Sequence, residues 1–184
     1  MKRFVFYWVM IITVSCCILS CKDDKDNHKE RWMMTNIGAF NQIKNQPGYF
    51  ELLSPGNEGS IYCKVLQSGT GTDTVRYTSS VRCYYKAWFV ADYENYKIKA
   101  GDTFDRQLFD DGLPIRFTIS TDVLPGRKTA LQHMVKGDKW EIWMPYQLGY
   151  GRDDYKASSG SRTIPGYSTI VYEIEIVDVT TIDN

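Results

Sequence analysis

The chain has 184 residues, 43% of them apolar and 14% aromatic, with 13 Tyr and 5 Trp. That length suits one domain with extensions, and the aromatics suit a β-rich fold with a ring-lined hollow. Lys plus Arg balance Asp plus Glu at 22 each, so there is no basic footprint and no nucleic-acid partner is expected.

In chain order, the first feature is a short basic start, Met1-Lys2-Arg3, before an apolar run from Phe4 to Leu19. The run is short for a membrane span and suits the core of an export signal. It ends Ile18-Leu19-Ser20-Cys21, which resembles a bacterial lipobox. The resemblance implies a lipoprotein signal peptide over residues 1–20, cleavage before Cys21, and lipidation of Cys21. An ordinary signal or an uncleaved anchor are the alternatives. Each buried acyl CH₂ adds about 0.8 kcal/mol of membrane affinity. Lys22-Asp23-Asp24-Lys25-Asp26 resembles the surface-export signal of some Gram-negative lipoproteins; otherwise it is a solvated tether. The expected location is the bacterial cell envelope, lipid-anchored at the outer membrane, with surface exposure left open.

Residues 21–58 are expected to hold this polar tether and then a helix from Glu30 to about Lys44, with Trp32, Met33, Ile37, Phe40 and Ile43 on one face. Packing on its own domain is preferred to dimerisation; the oligomeric state stays open. Residues 59–184 form the main domain. Ser60 to Gln67 alternates as a strand, with Ile61, Cys63 and Val65 on one face. Ser68-Gly69-Thr70-Gly71 is a turn, and lacks the Gly-Lys-Ser/Thr of a phosphate loop. Val81 to Val90 is an aromatic strand, and residues 91–100 a hairpin extension. Phe104-Asp105 and Ile115 to Ile119 begin further strands. Thr129 to Val135 reads as a short amphipathic helix stopped by Gly137, Lys139 to Met144 as a strand with Trp140 in the core, and Thr169 to Val179 as a core strand. The outline is α+β: about five strands of a twisted antiparallel sheet around one short helix, with an N-terminal helix extension.

Five segments carry the chemistry: Val81-Arg82-Cys83-Tyr84-Tyr85-Lys86-Ala87, Gly101-Asp102-Thr103-Phe104-Asp105, Val123-Leu124-Pro125-Gly126, Gly137-Asp138-Lys139-Trp140, and Leu148-Gly149-Tyr150-Gly151, followed by Ile164-Pro165-Gly166. In this order and spacing they resemble an FKBP-type peptidyl-prolyl cis-trans isomerase over roughly residues 59–180. The resemblance implies a proline pocket with Tyr85, Asp105 and Tyr150 as its polar residues. Phe104, Ile115, Val123, Leu124, Ile164 and Tyr172 would line it. The Leu124 N–H and the Tyr150 hydroxyl would each meet a substrate carbonyl. The partners implied are proline-containing protein segments and, through Cys21, a membrane. No cofactor and no metal is implied, and Cys63 and Cys83 would be two buried thiols, because the first two strands of such domains are not sheet neighbours.

Rotation about a peptide bond has a barrier of roughly 18–20 kcal/mol. No bond is broken, so no nucleophile is needed. A dry pocket that grips the ring while donors hold the flanking carbonyls favours the twisted, less polar amide. The chain departs from the family in several places, among them Ala87 for a glycine and longer loops between Ala87 and Phe104 and between Gly151 and Thr163. Arg127 stands where a floor Trp is usual, with its head expected in water or paired with Asp105. Ile115 stands for an aromatic, and Tyr172 for a Phe. Two other readings therefore stand beside the isomerase: a non-catalytic substrate-binding or holdase lipoprotein, and an adhesion or glycan-binding lipoprotein using exposed aromatics of residues 91–100.

Overall fold

The computed structural model describes residues 20–122, 124–156 and 162–181, with side chains from Asn27 onward. Residues 1–19 of the expected leader, the side chain of Cys21, and Val123 lie outside the described residues. The first element, α1 (Ser20–Ile43), begins ten residues before the expected helix and takes in the segment read as a tether. Residues 20–37 contain no Gly or Pro, so a helix fixed at Trp32 propagates backwards at little cost. Its fixed face runs through Trp32, Asn36 and Ile43, all buried, at steps of four and seven, one and two helical turns. Polar bonds hold that face to the domain. The Trp32 indole donates to the Gly166 carbonyl at 3.0 Å. Asn36 Oδ1 accepts from the Thr169 N–H at 2.8 Å, and the Thr169 hydroxyl donates to the Asn36 carbonyl at 3.0 Å.

The sheet comprises β1 (Phe50–Leu53), β2 (Ser60–Gln67), β3 (Ser80–Phe89), β4 (Thr103–Gln107), β5 (Ile115–Thr118), β6 (Lys139–Met144) and β7 (Ile170–Thr180). Its order is β1-β2-β6-β7-β3-β4, with β5 also on β3, and every pairing is antiparallel. Among the described residues this makes seven strands where about five were expected. β1 is short and mostly exposed, so it carries no alternation to read. β4 and β5 share one edge of β3: β5 takes Ser80–Cys83 and β4 takes Tyr85–Trp88.

β7 lies between β6 and β3, and its Ile170, Tyr172, Ile174 and Ile176 are buried. Burying such a side chain fully is worth about 1.5–3 kcal/mol. Against β2 and β6 packs α2 (Pro125–Leu131). It starts four residues earlier than expected, because Pro125 suits the first helical position. The run expected to be helix after Leu131 instead closes in turns that end at Gly137, φ +89°. Gly126 lets α2 approach closely: a Cβ there would sit 3.0 Å from Met144 Cβ and 3.1 Å from Ile61.

Two motif segments prove structural. Buried Asp138 accepts from the Gly69 N–H at 2.7 Å and the Val135 N–H at 2.8 Å, tying the 68–71 turn to the end of the helical region. Cys63 and Cys83, on strands separated by β6 and β7, are free and buried, and burial pushes both thiols up to about 12. The aromatics of residues 91–100 are not displayed as expected. Tyr93 is buried and stacked on Trp32 at 4.7 Å, and half-buried Tyr96 stacks on Tyr93 at 5.0 Å. A helix that leaves its own sticky face uncovered would expose these rings; α1 covers them instead.

Candidate active site

Strand alternation aims Tyr85 inward from β3, in line with Val81, Cys83, Ala87 and Phe89. On β7, Tyr172 stands opposite Ala87, whose small side chain leaves room for the phenol. The two tyrosine rings stack at 5.8 Å. Tyr150 follows the turn Tyr146–Leu148, and its hydroxyl lies 3.2 Å from that of Tyr172. Phe104, on β4, meets Tyr150 edge-on at 6.2 Å and Phe89 at 4.7 Å. Tyr155 meets the Tyr150 ring at 4.7 Å and is bridged through its backbone to buried Ile164. Asp105 is exposed beside Phe104, and its carboxylate lies near enough to the Tyr85 hydroxyl to oppose its ionisation. The result is one wall of rings: Tyr172 fully buried at its base, Phe104 and Tyr150 half-exposed above.

Arg127, on α2, forms the floor. Its Nε and Nη2 donate to the two carboxylate oxygens of Asp122 at 2.8 and 2.6 Å. The guanidinium lies 3.9 Å from the centre of the Phe117 ring and 5.4 Å from that of Tyr172. Burial opposes its charge, but the Asp122 carboxylate outweighs that and keeps it protonated. The expectation of a pairing with Asp105 or a head in water is therefore corrected. Asp122 sits just before α2, its side chain has no exposed surface, and it also accepts the Leu124 N–H at 3.0 Å. A flat cation neutralised from behind and stacked on a ring replaces the broad indole.

Burial raises the hydroxyls of Tyr85, Tyr150 and Tyr172 above the ordinary phenol value. The Asp105 carboxylate adds to the rise at Tyr85, while Tyr172's hydrogen bond and the Arg127 charge hold Tyr150 down. All three are neutral donors at physiological pH. The arrangement can therefore bind and orient a carbonyl beside an apolar ring, but has no ionised nucleophile.

A family model described as FKBP-type peptidyl-prolyl cis-trans isomerase matches residues 71–177. The chain belongs to the FKBP-type peptidyl-prolyl cis-trans isomerase family. It is similar to the FKBP-type 22 kDa peptidyl-prolyl cis-trans isomerase of Escherichia coli, 32% identical over 66% of this chain and 51% of that protein. It also resembles an FK506-binding protein of Neisseria meningitidis, 26% identical over 66% of this chain and 97% of that one. The match spans about half the length of the first of these relatives. Among solved structures, FkpA from Escherichia coli superposes with TM-score 0.64 at 22% identity, over 98% of this chain and 71% of that chain. A peptidyl-prolyl isomerase from Pseudomonas syringae superposes with TM-score 0.62 at 24% identity, over 83% and 96%. These likenesses establish the fold.

Of the residues expected to line the FKBP pocket, Tyr85, Phe104, Tyr150, Tyr172 and Arg127 are linked by ring contacts or hydrogen bonds, and Asp105 joins them through Tyr85. Leu124 is buried beneath, and Ile164 stands behind Tyr155. Ile115 pairs with Cys83, two residues before Tyr85 on β3, and is 39% exposed. The aromatic there is Phe117, two residues on, which meets Tyr85 at 5.5 Å. Sequence reasoning missed Phe117 and Asp122. The alternation of β5 puts 115 and 117 on one face, so Phe117 was within reach of that signal. Asp122 carried none, since a lone acid before a proline reads as a turn residue. A separate cleft of about 930 Å³ is lined by Lys29 and Trp32 of α1, Tyr93, Tyr96, Asp154 and Pro165.

Proposed function

We propose that the protein is a peptidyl-prolyl cis-trans isomerase assisting the folding of exported proteins, held in the cell envelope by lipid on Cys21. The observation that carries this reading is the ring wall of Tyr85, Tyr172, Tyr150 and Phe104, with Tyr150 half-exposed at its mouth. A proline ring against Phe104 and Tyr85 would leave its flanking carbonyl near the Tyr150 hydroxyl. Stripping water from that amide and holding its neighbours favours the twisted state, whose dipole is smaller than that of the planar amide. Residues 1–21, with their lipobox-like ending, support the envelope placement.

The assay is protease-coupled turnover of Xaa-Pro peptides by the full chain in detergent. Turnover that falls at least tenfold in Tyr150→Phe with Asp105→Val supports the reading; no turnover of any Xaa-Pro peptide sinks it. A specific observation favours a second reading, a substrate-binding module without catalysis. The Leu124 N–H, expected to meet a carbonyl, already donates to Asp122. Binding of proline peptides without turnover would select it. Mass spectrometry of the N-terminal peptide tests the anchor, with an acylated Cys21 expected.

A further inference from the structure

We infer that Asp122, Arg127 and Tyr172 form a hydrogen-bond relay that fixes the direction of the Tyr150 hydroxyl and strengthens it as a donor. Tyr172 and Arg127 then act as positioning residues through Tyr150. This rests on the isomerase reading for its catalytic consequence, but the relay itself stands on geometry.

The direction of each proton follows from what the groups can do. A guanidinium has only donors. Two of its arms are spent on Asp122, at 2.8 and 2.6 Å, and the third nitrogen, Nη1, faces the Tyr172 oxygen at 3.5 Å. That oxygen therefore accepts. The single proton of Tyr172 cannot point at the guanidinium, where donor would face donor. It turns to the other oxygen within reach among the described residues, that of Tyr150 at 3.2 Å. With its own oxygen accepting from Tyr172, Tyr150 sends its proton away from the floor, towards the half-exposed side where Phe104 and Tyr155 stand. The reverse orientation would leave Tyr172 with a proton opposed by the arginine.

The relay gains strength from burial. Tyr172 has no exposed surface, and the Arg127 side chain is 9% exposed. A hydrogen-bonded chain ending in a buried cation polarises each member, and low dielectric screens this little. Asp122 holds the guanidinium over the Phe117 ring, with Nη1 towards Tyr172. Other charged and titratable groups facing Tyr150 are Asp105 and Tyr155, which oppose negative charge on its oxygen, whereas Arg127 favours it. A plain Phe at 172 would leave the Tyr150 hydroxyl free to rotate towards the floor, and the arginine with an unused donor.

The test places a fluorinated tyrosine, which titrates nearer neutrality than tyrosine, at position 150 of the full chain and follows its ionisation by ¹⁹F NMR. Tyr172→Phe, which keeps the ring, should raise the apparent pKa of that phenol by roughly half to one unit. In the unlabelled chain it should lower kcat about fivefold with KM changed less than twofold, the scale of one lost hydrogen bond. A merely structural role for Tyr172 would move neither the titration nor the kcat-to-KM split. Should Tyr172→Phe fail to fold, Asp122→Asn with Arg127→Met removes the charge and should raise the same titration. An unmoved titration overturns the relay, whatever the activity. An unmoved kcat in an active protein overturns its catalytic role. A wild-type chain that turns over no proline peptide sinks the isomerase reading alone, because the titration still decides the relay.

Discussion

Replacing Arg127 with Met keeps an unbranched stem and removes the cation. Asp122 would then hold a carboxylate with no exposed surface and, among the described residues, one remaining donor, the Leu124 N–H. Removing one partner of a buried pair costs about 3–5 kcal/mol, because the other charge is left uncompensated. Loss of the guanidinium's contact with Phe117, 3.9 Å from its ring centre, adds about 1 kcal/mol. In a domain of this size the melting temperature should fall by about 10 °C. The exposed pair Arg82–Asp178, with side chains 48% and 32% exposed, is the contrast: breaking it should cost about 0–1 kcal/mol. Asp122→Asn added to Arg127→Met should restore most of the loss, since the neutral amide still accepts from Leu124 and no charge is stranded. Urea melts of wild type, both single variants and the double variant give the coupling energy directly. An Arg127→Met protein within 1 kcal/mol of wild type, or a double variant no more stable than the single, would refute the account of the floor as a buried, mutually dependent pair.

Asn36→Ala should cost about 2 kcal/mol by stranding the buried Thr169 N–H, and should speed proteolysis within residues 152–169; urea melts within 0.5 kcal/mol of wild type would rule out the latch. Burial alone would raise the Glu173 carboxyl, but hydrogen bonds from Lys139 and Lys86, at 3.0 Å each, hold it below its usual 4.5. Its contribution is thus present above the unfolded carboxylate range and is lost as pH falls through the lowered folded value. Glu173→Gln should lose about 0.5–1 kcal/mol at pH 7, allowing for solvent screening, and in urea melts the gap should close as pH falls through the lowered folded value. With both thiols pushed up to about 12, Cys63 and Cys83 should react with a thiol reagent at pH 8 on the order of 10³-fold slower than free cysteine; rapid labelling of the native protein would contradict their burial.

The sequence by itself determined the frame. Strict alternation over β6 and β7 placed Trp140, Ile142, Met144, Ile170, Tyr172, Ile174 and Ile176 in the core, because a side chain's face on a strand follows from counting by two. The ordered Gly-, Pro- and aromatic-bearing segments identified the domain and most of its ring wall. Tertiary structure alone decided the floor. Arg127 chose Asp122 over Asp105, since the partner of a buried charge is whichever carboxylate the folded backbone brings to about 3 Å, and linear order does not rank acids by that distance. It also decided that Phe117 lies against Tyr85, and that the polar segment before Glu30 is helical. The reach of a short strand and the backward growth of a helix depend on contacts at Tyr85, Trp32 and Thr169, far away along the chain. Local patterns fix which way a side chain points; only the assembled fold fixes what it meets.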